Sequence, residues 1–295
     1  MNIKKEVFSI IKKMPESIVG SLIRGKLRLE ESVIGAIQFK IADTKNELEQ
    51  AFRLVNEVYK DAHIITNDEN ELRLKLANAN PLTTVFIAKR HDKVIMTMSL
   101  FPDSALGLPM DSFFKDEVNK LREEGRYVAE VGAFASDPAF RKCNQTLPLL
   151  MNKIMHTYAT EYLQLDDLLI TVHPKHVWVY KNLLLFKQIG KCKGAHDEDI
   201  EKYPVIPFRM KLEMSQALYK KAYGQKPAQR NLFHFFWRKK SKHISLPREK
   251  SPYYVWNRDM LYYFFEKRTN VFRFAPSEVK DYIFRQHQRY SILLA

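Results

Sequence analysis

The sequence predicts an α/β fold in which a mixed central sheet is flanked by helices, preceded by a helical lead-in and followed by a basic, aromatic helical extension. Three observations carry this expectation. Between residues 36 and 214, apolar runs of strand length alternate with segments whose apolar residues recur with the helical period. The chain has 295 residues, with 45% hydrophobic and 28% charged content. That is enough for about two domains with a real core, and it excludes a disordered or low-complexity chain. The charge is also lopsided: residues 215–295 hold 17 Lys+Arg against 5 Asp+Glu and 18 of the 36 aromatic residues, so +12 of the formal +14 lies there. This shift divides the chain into a lead-in (1–35), a near-neutral body (36–214) and an extension (215–295).

In the lead-in, two short amphipathic helical patterns flank Met14-Pro15. Residues 37–42 read as a strand. Asp43 or Thr44 then caps a helix through Lys60 whose apolar set is Leu48, Ala51, Phe52, Val55 and Tyr59. After a loop at 63–67 and a short helix near 71–77, residues 84–89 and 93–100 form a hairpin across His91-Asp92. A helix over 111–124 presents Phe113, Phe114, Val118 and Leu121 and stops at Gly125. Residues 127–135 form the next strand, and a helical stretch runs from Pro138 to about Leu163 with Pro148 near the start of its main part. A strand at 167–172, a helix opened by Pro174 and running to about Leu185, and a last strand at 205–212 complete the body.

Two cysteines, Cys143 and Cys192, with no Cys-x-x-Cys pair, point away from a disulfide scaffold and a thiolate zinc site and fit a reducing compartment, the cytoplasm. No run approaches the ~18 apolar residues of a membrane span. The apolar patch at 7–11 ends at Lys12, Lys13 and Pro15, short of a secretion signal.

The segment from Glu130 through Val131, Gly132, Ala133, Phe134, Ala135, Ser136, Asp137, Pro138, Ala139 and Phe140 to Arg141 resembles the fourth strand and following turn of the GNAT acyltransferase superfamily. Tyr180-Lys181-Asn182-Leu183-Leu184-Leu185-Phe186 resembles its late helix. Gly107-Leu108-Pro109-Met110-Asp111, the run Leu121-Arg122-Glu123-Glu124-Gly125-Arg126, and His173-Pro174-Lys175-His176-Val177 resemble the long-chain N-acyl amino acid synthases, a GNAT branch related to acyl-homoserine lactone synthases. The similarity covers about residues 36–214. It implies a GNAT-like sheet and an enzyme that moves a long-chain acyl group from an acyl-carrier-protein thioester to the amine of an amino acid. The acyl-phosphopantetheine of the carrier is then the donor substrate, with no bound cofactor and no metal.

Glu130 stands on an apolar strand, where a carboxylate either pairs with an arginine to fix the sheet or binds and deprotonates the amine. The synthases of this group carry a Glu here, which supports the second role. They often follow it with Ser-Arg, where this chain has Gly132-Ala133. The contact to a substrate carboxylate is therefore unassigned, and a homoserine-lactone-type synthase using S-adenosylmethionine is the lesser reading. If the strand bulges at Gly132, Ala133 and Phe134, its backbone N–H groups can polarise the thioester carbonyl; otherwise Gly132 marks close packing. Tyr180 holds the position of the GNAT tyrosine that protonates the leaving thiolate, or packs in the core.

Ordinary GNAT enzymes hold the coenzyme A pyrophosphate on a glycine-rich turn at a helix N-terminus. Here Asn144 and Thr146 replace the glycines. A carrier protein with its single pantetheine phosphate and acidic surface is the expected donor, met by Arg141 and Lys142 unless these form a solvated face. His173 and His176 lack a third ligand for zinc, so a helix-cap or pocket role for His176 is expected. Cys143 has no paired base and is not expected to act as a nucleophile.

The extension, with Phe235-Phe236-Trp237-Arg238-Lys239-Lys240 and Tyr262-Tyr263-Phe264-Phe265, admits a helical subdomain packed on the body, an anionic membrane surface or an acidic carrier as its partner; no nucleic-acid module frames it. A catalytically silent GNAT-like binding module is the alternative from outside enzymology.

Overall fold

Thr44 accepts a hydrogen bond from the Glu47 N–H (3.2 Å) and starts the helix that the apolar spacing predicts. Residues 16–65, 70–141, 145–194 and 203–293 are described in a computed structural model. The lead-in contains helix α1 (Glu16–Gly25). Strand β1 (Ile37–Ile41), helix α2 (Lys45–Asp61), the hairpin β2 (Thr84–Arg90) and β3 (Lys93–Pro102), helix α3 (Asp111–Glu123) and strand β4 (Val128–Ser136) follow. Helix α4 (Thr146–Glu161), strand β5 (Asp167–Val172), the two-residue strands β6 (Lys187–Gln188) and β7 (Lys193–Gly194), and strand β8 (Pro204–Lys211) complete the body. The sheet order is β1-β2-β3-β4-β5-β8-β6, with β7 also on β8. Only β4 and β5 run parallel among the described strands.

Alternation along the strands separates two faces. Helix α2 lays Leu48, Phe52 and Val55 on Val85, Ile87 and Ala135, and α3 continues this face with Phe114, Val118 and Leu121 over Phe101, Val128 and Leu169. Helix α4 covers the opposite face with Leu150, Ile154 and Tyr158 over Phe86, Met96 and Met98. At the end of the sheet away from the site, buried Asp167 receives Arg126 and both Nε (2.8 Å) and Nη2 (2.9 Å) of Arg209, tying β5 to β8.

The extension contributes helix α5 (Leu212–Tyr223), a π-turn (His234–Arg238), helix α6 (Arg258–Tyr262) with a second π-turn (Tyr263–Lys267), helix α7 (Val271–Phe274) and helix α8 (Ser277–Leu293). Its aromatic residues are largely core. Phe235 and Leu232 join the α4 face; Trp256, Phe264, Phe265, Phe272 and Ile283 join the α2 face. The open edge of β1 is closed from the same segment: the Phe39 N–H donates to the His243 carbonyl (2.7 Å) and the Ser245 N–H to the Phe39 carbonyl (2.8 Å).

Two predicted helices take other forms. Residues 71–75 are irregular, held by the Arg73 N–H to the Phe52 carbonyl (3.1 Å), and only Leu76–Ala79 turns, as a 3₁₀ helix. Past Pro174 the chain makes a 3₁₀ turn (Pro174–His176) and then a π-turn (Val179–Leu183). The phenols of Tyr223 and Tyr219 donate to the carbonyls of Leu183 (2.6 Å) and Leu184 (2.8 Å), so the end of this widened turn is satisfied from α5 rather than by a further helical turn.

Candidate active site

Strand β4 is paired with β5 only as far as Glu130, opposite Leu169. On its other side, Gly132 faces Ser99 and Ala135 faces Thr97, so three steps of β4 span two of β3. The extra residue is a β-bulge, and Ala133 takes up the distortion at φ +47. A non-glycine residue in the left-handed region is strained, and such strain concentrates at functional sites. Beyond Glu130 the two strands part, and a cavity of about 210 Å³ opens between them, lined by Glu130, Val131, Gly132, Ala133, Phe134 and Tyr180 among others. Residues from both faces of the sheet meet in it: Val55, Tyr59 and Phe101 from the α2 side, Met155 and Phe186 from the α4 side.

Glu130 lies across from Phe101 on the α2–α3 face and is 3% exposed. It makes no ion pair at salt-bridge distance among the described residues; its Oε2 accepts the Met110 N–H at 2.6 Å. Burial pushes its carboxyl up to about 8, against the opposing pull of the Met110 N–H and the Lys75 charge. Glycine at 132 keeps the strand open in front of that carboxyl: a Cβ there would lie 3.3 Å from the Phe101 ring and 4.0 Å from Glu130 Oε1. The Met110 N–H is itself positioned by a small ionic frame. Arg122 donates to Asp103 through Nε and Nη2 (2.7 Å each) and to Asp111 (2.7 Å), and Asp111 accepts the Leu108 N–H at 2.7 Å. Gly107, at φ +71, starts this turn. Asp111 Oδ2 would sit 2.8 Å from any Cβ at position 107.

Tyr180 projects from the π-turn and its ring meets Phe186 edge-on at 6.1 Å. The residue is half-buried by surface while its phenol is desolvated, and burial raises its pKa. Tyr59, read from the sequence as one more apolar helix position, also lines the cavity, with its phenol pushed up to about 12 by burial. Arg73 and Lys75 line it too; the sequence reads them only as part of a short helix near 71–77, and the fold brings them into one cavity with Glu130.

The other expected site residues stand apart. Arg141 is exposed outside the cavity, its Nε donating to the Ser136 carbonyl at 3.0 Å. Lys142 and Cys143 lie outside the described residues. His176 is exposed and does not line the cavity; the cap on the turn after β5 is His173, whose Nδ1 accepts the Lys175 N–H at 3.1 Å. No group of three or more metal-binding side chains occurs among the described residues.

The family model of the N-acyl amino acid synthase FeeM matches residues 50–210, more than half of the chain. The chain belongs to the FeeM family of N-acyl amino acid synthases. The solved structure of FeeM from uncultured soil microbes is 28% identical to it, covering 61% of this chain and 93% of that one with a TM-score of 0.53. Two acyl-homoserine lactone synthase structures are more distant. LasI shares 15% identity over 60% of this chain and 89% of its own (TM-score 0.42). The CoA-dependent BjaI shares 12% over 72% of this chain and 96% of its own (TM-score 0.47). No curated protein matches the chain in sequence. As a FeeM-family member the protein is an acyltransferase, and the matched span contains the whole lining of the cavity.

Proposed function

We propose that the protein moves a long-chain acyl group from an acyl-carrier-protein thioester to the α-amine of an amino acid. The observation that carries this reading is the buried, unpaired-with-arginine Glu130 beside the bulge, in a cavity that reaches Tyr180 on the other face of the sheet. Glu130 takes a proton from the substrate's ammonium; a carboxyl held near 8 is a far better acceptor than one at its ordinary value. The freed nitrogen attacks the thioester carbon, forming the C–N bond. Backbone N–H groups at Gly132, Ala133 and Phe134 stabilise the oxyanion: Ala133 and Phe134 stand in the bulge without a register partner on β3, and β5 pairs with β4 only as far as Glu130. The C–S bond then breaks, and Tyr180, whose desolvated phenol remains protonated at neutral pH, protonates the thiolate while the nitrogen sheds its second proton.

The apolar lining on the α4 side, with Met98, Phe134, Met155, Ile170 and Phe186, suits an acyl chain. The absence of the glycine-rich pyrophosphate turn from the sequence favours a carrier-protein donor over coenzyme A, with Arg141 and Lys142 meeting its phosphate or acidic surface. Purified protein given acyl-carrier-protein or acyl-coenzyme A thioesters of several chain lengths with pooled amino acids is expected to yield N-acyl amino acids by mass spectrometry. The carrier thioester is expected to be used faster and Glu130→Gln to form none. A folded protein that makes no acyl amide from either donor would sink the proposal.

A further inference from the structure

The cavity is lined by three charged side chains, Arg73, Lys75 and Glu130, beside the uncharged polar groups of Asn78, Asn152 and Thr171. Leu72 and Leu74 are buried in the α2-face core, and the residues that alternate with them, Arg73 and Lys75, are half-buried and line the cavity. Glu130 is the single acidic residue among the described lining. Lys75 is close enough for its charge to act on Glu130, and Arg73 close enough to act on the Tyr59 phenol. All four residues belong to the α2 side of the sheet, opposite the side that holds Tyr180, Met155 and Phe186. One carboxyl and two cations, in a chamber whose other described lining is uncharged, complement a ligand that carries one ammonium and one carboxylate close together.

We propose that Arg73 and Lys75 form the site for the carboxylate of the acceptor, while Glu130 receives its ammonium, so that the enzyme selects free amino acids over simple amines. This assignment rests on the transferase reading above. It supplies the contact that the Gly132-Ala133 departure leaves open: the cations come from the segment after α2 instead of from β4. The α2-side position also separates this site from the donor, whose thiolate is met by Tyr180 from the other face.

The test is calorimetric binding of a panel of N-octanoyl amino acids, each paired with its decarboxylated N-octanoyl amine, to the full-length wild type, Arg73→Gln, Lys75→Met and the double variant. Wild type is expected to bind at least one acid tenfold or more tighter than its decarboxylated partner. The double variant is expected to bring that ratio close to one while the affinity for the neutral amide stays as in wild type, which also shows that the variant folds. The proposal is overturned if no acid outbinds its partner, if the ratio survives in the double variant, or if the variants raise KM for the thioester and not for the amino acid. Turnover measured in parallel separates the two readings: an acid preference lost in the double variant, with no acyl transfer by wild type, sinks the transferase and leaves the carboxylate site standing.

Discussion

Glu130 has a raised pKa because it is enclosed, and this has a measurable consequence. In the free enzyme a base held at about 8 makes kcat/KM rise with pH and level off above that value; Glu130→Gln is expected to lose at least 10²-fold in kcat/KM together with the rising limb. Stability moves the other way. The folded carboxyl keeps its proton to about 8 while the unfolded one releases it near 4.5, so Glu130 makes the fold less stable as pH rises between those values. Tyr180→Phe is expected to slow transfer from an alkyl thioester by about 10²-fold, and an aryl thioester, whose thiolate leaves without a proton, is expected to restore most of the rate. Equal losses with both esters would assign Tyr180 to packing. The sequence pointed to Glu130 and Tyr180 through residue type and resemblance. Tyr59, Arg73 and Lys75 carried no such signal, since their role depends on what the fold sets opposite them.

At the scale of elements, the short motifs of the sequence turn out to be the supports of the acid. The turn from Gly107 to Asp111 aims the Met110 N–H at Glu130, and Arg122 on α3 locks that turn through Asp103 and Asp111. Arg122→Met is expected to loosen the Met110 bond, which lowers the Glu130 pKa, so the limb in kcat/KM should shift above 8. A drop in kcat/KM at every pH with the limb unmoved would make Arg122 merely structural. The helices that periodicity predicts after residue 70 and after Pro174 take other forms for one reason. Periodicity records what a segment buries, whereas its backbone partners here come from distant residues, from Phe52 to Arg73 and from Tyr219 and Tyr223 to the π-turn.

Across the whole molecule, the basic extension closes the core on both faces of the sheet. Residues 1–214 alone would expose the β1 edge and the apolar surface that Trp256, Phe264 and Phe265 cover, so truncation after Met214 is expected to yield aggregated protein without turnover. A soluble, active fragment in size-exclusion chromatography and assay would contradict this. Two buried histidines tie the extension down. His156 packs against Phe236 and Trp237, at 5.7 and 5.1 Å between centroids. His287 donates from Nε2 to the Ala79 carbonyl (2.8 Å), which leaves Nδ1 to accept the Tyr254 hydroxyl (3.0 Å). Burial lowers both to about 4, so each stays neutral in the fold while the unfolded residue gains a proton below about 6.5. Stability in urea is therefore expected to fall as pH drops from 6.5 towards 4. His287→Gln, which is neutral at every pH, is expected to flatten that loss.

The sequence by itself determined the α/β class, the order of the strands and long helices of residues 37–172, the boundaries of the lopsided charge, and the strand that carries the acid, because each of these is written in local periodicity, capping and composition. Resemblance added the expectation of acyl transfer. Tertiary structure decided the rest. The bulge at Ala133 depends on the register of β4 against β3. The cavity depends on β4 parting from β5 beyond Glu130. The grouping of Arg73, Lys75 and Glu130 depends on two segments more than fifty residues apart meeting on one face of the sheet. A basic, aromatic stretch also reads alike whether its rings face a partner or its own core. Only packing distinguishes these outcomes, and here it buries Phe235, Trp256, Phe264, Phe265 and Phe272 while leaving the charges outside.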